Sequence, residues 1–184
     1  KLESFSGLAG SSKKKYTALK QAYMASRESD KNESLKKSIE GNYDFKIKDV
    51  SNFKLIQSGR FDDAPEMKYS FDFTTEELIK KTGPNYLVDI GKLIEQQVKI
   101  EGDEIDRKYA VYFDYPRSFR YKIQFEIPKG YEVQGLDKLN SSVVNGTGGF
   151  VSKAKIEGNQ LIVETHKHYD VRTVAMGDWK SVVS

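Results

Sequence analysis

The chain has 184 residues, enough for one large domain or two small ones and for burial of about 70% of the unfolded surface. Thirty Lys and Arg stand against 27 Asp and Glu, and the signs are interspersed, which argues against a nucleic-acid footprint or a membrane-docking surface. Cysteine is absent, so a disulfide framework, a thiolate metal site and a cysteine nucleophile are excluded.

In chain order, Tyr16, Leu19 and Tyr23 follow three- and four-residue steps among good helix formers, predicting an amphipathic helix over 12–26. The polar stretch 27–33 interrupts the pattern, and Leu35 and Ile39 resume it up to Gly41, a C-terminal stop. The period then changes to two. Tyr43 to Val50 reads as a strand, Phe53 to Gln57 as a weaker one, 59–66 as a loop, and Met67 to Phe73 as a strand. Residues 74–79 read as a short helix or an irregular stretch leading to a turn at Gly83-Pro84-Asn85. Tyr86 to Ile90 is a further short strand, with a loop or short helix through Leu93 and Ile94.

Beyond an acidic turn, Tyr109 to Phe113 and Phe119 to Ile127 are expected as neighbouring strands. The second alternates five apolar residues with Arg120, Lys122, Gln124 and Glu126, the pattern of a half-buried strand with one wet face. A turn at Gly135 follows, then Val143-Val144, the turn Asn145 to Gly149, and a strand to Ile156. Gly158-Asn159 marks a hairpin into Leu161 to Thr165, and Gly177-Asp178 reads as a helix start. Eleven Tyr and ten Phe must supply much of the buried area, which suits pleated sheets. Strands at short spacing without long intervening helices predict a mainly β (α+β overall) fold, an antiparallel β-sandwich with an N-terminal helical segment. The helical segment is placed at 1–41, packed on the sheet, and the sandwich at 42–184 as one structural unit. The chain opens without an initiator Met and stops just after a helix start, so an excised piece truncated at its C-terminal end is expected. No apolar run reaches the roughly 20 residues of a membrane span.

The chemistry-bearing patterns are weak. His166 and His168, two apart on one strand, face the same way as a pair of metal ligands can, but Asp170 is expected far along the strand and no third ligand is visible. An exposed His pair is the simpler reading. The cluster Glu101, Asp103, Glu104 and Asp106 does not follow EF-hand order and reads as a solvated turn. The glycine-rich loop 145–149 precedes a strand, not the helix N-terminus that a phosphate cradle needs. Lys13-Lys14-Lys15 and Lys36-Lys37 read as wet helix faces. Two histidines leave little material for a serine triad, and Tyr residues or Trp179 that could stack on sugars read first as core.

One longer stretch carries a likeness. Arg107-Lys108-Tyr109-Ala110-Val111-Tyr112-Phe113-Asp114-Tyr115-Pro116, Tyr121 to Ile127, Pro128-Lys129-Gly130-Tyr131-Glu132-Val133 and Ile156-Glu157-Gly158-Asn159 together resemble one family. It is the C-terminal β-domain of unknown function that follows a transglutaminase-like core in exported proteins of Gram-negative bacteria. There a strand Arg-x-x-Pro-Val-x-Phe precedes a strand ending Ile-Pro-x-Gly-Tyr-x-Val-Glu-x-Leu-Pro, and the likeness spans about 107–163. Ala110 stands in place of the family's Pro, and Gly135-Leu136-Asp137 replaces Leu-Pro, so the local turn differs.

The resemblance implies a non-catalytic accessory domain of a periplasmic, envelope or extracellular protein, with Cys-His-Asp chemistry in an upstream domain of the same parent chain. That domain is the expected partner, with another protein or a glycan as a further one. Neither a cofactor nor a catalytic residue is expected here. A carbohydrate- or peptide-binding module is the second reading, and a metal-dependent hydrolase using His166 and His168 the third.

Overall fold

Leu35 and Ile39 sit one helical turn apart and are both buried, and that single apolar stripe is what docks the helix α1 (Glu28–Asn42). They join Phe45, Ile47, Val50 and Phe71 in one cluster, edged by Tyr43, Phe53, Tyr69, Phe73, Leu78 and Leu93. Ring contacts knit the cluster: Phe45 stacks on Phe73 at 5.7 Å and Tyr69 on Phe71 at 6.1 Å. The computed structural model describes residues 2–7, 28–58, 66–94, 100–102, 105–106 and 108–183. The helix expected over 12–26, the triple lysine at 13–15 and the loop after Ser58 lie outside the described residues.

Contacts group the chain into two compact units, 1–96 and 97–184. The helix and the strands that follow it lie together in the first unit and share the cluster just described. In the first unit β1 (Leu2–Gly7), β3 (Glu66–Thr74) and β2 (Asp49–Ser58) form a three-stranded sheet in the order β1-β3-β2. A hairpin of β4 (Ile79–Thr82) and β5 (Asn85–Val88) closes through Gly83-Pro84, with Gly83 at φ +62. A 3-10 turn, Ile90–Leu93, follows.

Two expectations need correction here. Residues 43–48 are not a strand: the Ile47 amide donates to Glu40 Oε1 at 2.9 Å and the Lys46 amide to Glu77 Oε2 at 3.0 Å. At Lys46 and Ile47 carboxylates take the place of a neighbouring strand, which only the Lys48 amide reaches, at the Thr74 carbonyl, while Phe45 and Ile47 still bury alternate side chains. The separate strands read at 43–50 and 53–57 give way to one strand, β2, with a register shift between Ser51 and Lys54. Asn52 occupies the left-handed region at φ +54, which Asn tolerates better than most residues, and its side-chain Nδ2 donates to Asp72 Oδ2 at 2.8 Å.

The second unit holds a four-stranded sheet in the order β7-β10-β9-β8, made of β7 (Arg117–Glu126), β8 (Ser141–Asn145), β9 (Gly148–Glu157) and β10 (Gln160–Tyr169). The turn read at 145–149 closes one hairpin, and the hairpin anticipated at Gly158-Asn159 is also present. Asn145 Oδ1 accepts from the amide and hydroxyl of Thr147 at the first turn, and Gly158 takes φ +60 at the second. Leu161, Val163 and Thr165 on the central strand are buried, flanked by half-buried Phe119, Tyr121, Ile123 and Phe125 of β7.

The expected pairing of 109–113 with 119–127 does not occur. β6 (Val111–Tyr112) pairs instead with β11 (Thr173–Val174), and the Phe113 amide donates to the Arg172 carbonyl at 2.7 Å. A 3-10 turn (Met176–Asp178) leads into α2 (Trp179–Val183), anchored by buried Val174 and Trp179. Every strand pairing among the described residues is antiparallel, and the fold is mainly β with one long helix near the N-terminus.

Candidate functional site

Strand alternation puts residues 162, 164, 166 and 168 of β10 on the face opposite Leu161 and Val163. Register then lays Ser118 of β7 and Gly149 of β9 on either side of His168, and Arg120 and Val151 on either side of His166. The two imidazoles stack with centroids 4.8 Å apart and planes 24° from parallel. His166 Nε2 and Ser118 Oγ share a hydrogen bond of 2.8 Å, and His168 Nδ1 lies 2.9 and 3.0 Å from the two carboxylate oxygens of Asp170.

Asp170 is therefore not far along the strand, as the sequence reading has it. β10 ends at Tyr169, the Asp170 amide turns to the Thr147 carbonyl at 2.9 Å, and the side chain folds back onto the imidazole it follows. Gly149 makes room for that imidazole. A Cβ there would stand 3.1 Å from His168 Nε2 and 2.9 Å from both the Val143 carbonyl oxygen and Val144 Cγ2. Burial of the His166 ring, with Arg120 and His168 beside it, holds its pKa below the usual imidazole value, and Asp170 partly offsets this.

This constellation resembles a serine triad in inventory only. A triad needs one imidazole bonded to both the hydroxyl and the carboxylate, whereas here Ser118 and Asp170 hold different rings that meet face to face. Stacked rings also aim their in-plane lone pairs side by side and not at one point. Among the described residues no three His, Cys, Asp or Glu side chains are grouped as a metal site requires.

The remaining motifs resolve simply. Gly102 turns at φ +60 and accepts from the Ile105 amide, and Asp106 pairs with Lys180 at 2.8 Å, which raises the lysine pKa. Asp103 and Glu104 lie outside the described residues. Lys37 pairs with Glu33 across one helical turn at 3.4 Å. On the wet face of the four-stranded sheet, Lys122 pairs with Glu164 at 3.6 Å, and an open groove of about 850 Å³ runs along Asn140, Ser142, Val151, Lys153 and Ile162. None of the Ser118–Asp170 constellation lines it.

A different group escaped the sequence reading. Tyr109, Tyr112 and Tyr115 are 83, 76 and 60% exposed along the connector into β7. Phe113, between them, turns inward to meet the Tyr169 ring at 5.5 Å. Their three-residue spacing, which period-two burial does not explain, was the available signal.

A family model described as Domain of Unknown Function with solved-structure structure (DUF3858) matches residues 88–180. The chain belongs to this family. The DUF3858 match begins at the end of β5, takes in every strand of the second unit, and includes both the paired imidazoles and the exposed tyrosines. The stretch 107–163, on which the sequence resemblance rests, falls inside it. No curated protein and no solved structure matches the chain.

Proposed function

We propose that this chain is a non-catalytic accessory domain that mediates contact with a protein neighbour, the transglutaminase-like domain of the same parent chain in the envelope of a Gram-negative bacterium. The observation that carries the reading is the exposure of Tyr109, Tyr112 and Tyr115 within seven residues. A large apolar group in water is informative when several cluster, and Tyr is among the side chains enriched in interface cores. In the second unit the reading takes the four-stranded sheet and the β6–β11 ribbon as two layers of an antiparallel sandwich, with Val163, Val174 and Trp179 on the inside. Such a frame holds the tyrosine connector in place.

The split of Ser118 and Asp170 between two stacked rings supports the non-catalytic part of the proposal. The isolated chain is expected to show no amidase, protease or transglutaminase turnover, and robust turnover by it would refute the reading. Titration with the transglutaminase-like domain of the parent protein should give binding that Tyr109→Ser/Tyr112→Ser/Tyr115→Ser abolishes. Exposed tyrosines also favour a second reading, a carbohydrate- or peptide-binding module, because rings of this kind stack on sugars. A glycan-array signal lost in the same triple variant would promote it.

A further inference from the structure

Resting on the interaction reading above, we infer that the tyrosine connector and the adjoining cations form a docking surface for an acidic polypeptide segment. Arg117 and Tyr169 are opposite one another in register, as are Phe119 and Lys167, so all four side chains leave the same face of β7 and β10. The Arg117 guanidinium carbon lies 5.1 Å from the Tyr169 ring centre, 5.6 Å from Phe113 and 6.0 Å from Phe119. Lys167 Nζ lies 5.4 Å from the Tyr169 ring and 5.6 Å from Phe119. Three rings thus fix the direction of two cations. A guanidinium set among rings, which accept no charge-assisted fork, has its N–H donors to offer a planar carboxylate, and part of its ordering cost is already met in the unbound fold.

Charge on the neighbouring chain points the same way. Segments 108–117 and 167–172 carry four basic residues, Lys108, Arg117, Lys167 and Arg172, against Asp114 and Asp170. Asp170 is engaged by His168, and among the described residues no carboxylate forms an ion pair with Arg117, whereas Lys37, Lys48, Lys122, Lys155 and Lys180 each have one. The shape favours an extended polymer. Tyr109 and Tyr115 stand at bends on either side of β6, which carries Tyr112, so the three rings are spread along the strand and its two ends. Among the described residues β6 is paired on one side only, by β11, so its other edge offers backbone groups that an added polypeptide strand can match in register.

The test is fluorescence anisotropy of labelled hexaglutamate with the intact chain, beside labelled hexaserine and a hyaluronan oligosaccharide. Hexaglutamate should bind tightest and be released at 1 M NaCl, where charges more than about 3 Å apart are screened. Arg117→Gln should weaken it ~10-fold with unchanged melting temperature, and Arg117→Lys should fall between, since a lysine keeps charge but not the bidentate fork. Hexaserine binding as tightly, hyaluronan binding more tightly, or an unaltered affinity in Arg117→Gln would each overturn the inference. Should hexaglutamate fail while tyrosine-dependent binding of the parent's neighbouring domain persists, this inference falls and the accessory reading stands. Turnover by the isolated chain defeats that reading whatever hexaglutamate does.

Discussion

The imidazoles of His166 and His168 stack 4.8 Å apart while each holds a different partner, Ser118 for the first and Asp170 for the second. Protonating the His166 ring is opposed by its partial desolvation, by Arg120 and by the neighbouring imidazole, so its folded pKa lies below the ordinary value. Above the unfolded pKa of about 6.5 both states carry a neutral ring and the contribution to stability is complete. As pH falls below that value the unfolded chain takes up the proton first, and stability is lost down through the folded pKa. Urea midpoints between about pH 7.5 and about pH 5 should decline less in His166→Gln than in the native chain. Parallel declines would contradict the assignment.

Gly149 is expected to resist enlargement. An alanine Cβ would press on the Val143 carbonyl oxygen and on Val144, both at 2.9 Å, and on His168 Nε2 at 3.1 Å. Backbone cannot yield as a side-chain tip can, so Gly149→Ala should cost about 1–3 kcal/mol in urea unfolding. It should also shift the His168 ring resonances, and unchanged resonances would mean that the imidazole does not lean over this position.

Thr165 is 4% exposed, and among the described residues its hydroxyl oxygen finds no hydrogen-bond partner. An unmet buried hydroxyl carries its full desolvation penalty, so Thr165→Val, nearly equal in shape, should stabilise the chain by about 1 kcal/mol. A loss of stability of that size would show that the hydroxyl is satisfied.

Phe71 is 1% exposed and contacts both Tyr69 and Phe73 at the centre of the first unit's cluster. Truncation removes apolar contact and leaves a cavity that the helix and strands around it cannot close. Phe71→Ala should therefore cost about 3–5 kcal/mol, measured by denaturant unfolding, and a cost under about 1 kcal/mol would mean that the site collapses or is wet.

Much of the scaffold was legible because its signals are local. Alternation from Phe119 to Ile127 announced β7, and Asn145 to Gly149 and Gly158-Asn159 announced the turns on either side of β9. Other features depended on what lay across from them. Tyr43 to Ile47 alternates like a strand, but Glu40 and Glu77 reach its amides first. Asn52 hid a bulge, because a single left-handed residue leaves hardly a trace in an apolar pattern. The candidate site was half visible. The shared face of His166 and His168 follows from their spacing, whereas the return of Asp170 depends on the turn that ends the strand.

By itself the sequence determined that aromatic, alternating segments would form antiparallel strands and that no cysteine chemistry resides here. Only the tertiary structure decided that β6 pairs with β11 and not with β7, that Phe113 turns inward while Tyr109, Tyr112 and Tyr115 face water, and that Ser118 and Asp170 hold separate rings. The reason is range. A two-residue repeat is a property of the extended backbone and can be read along the chain, but partner choice and exposure are set by residues dozens of positions away, whose approach no local pattern encodes.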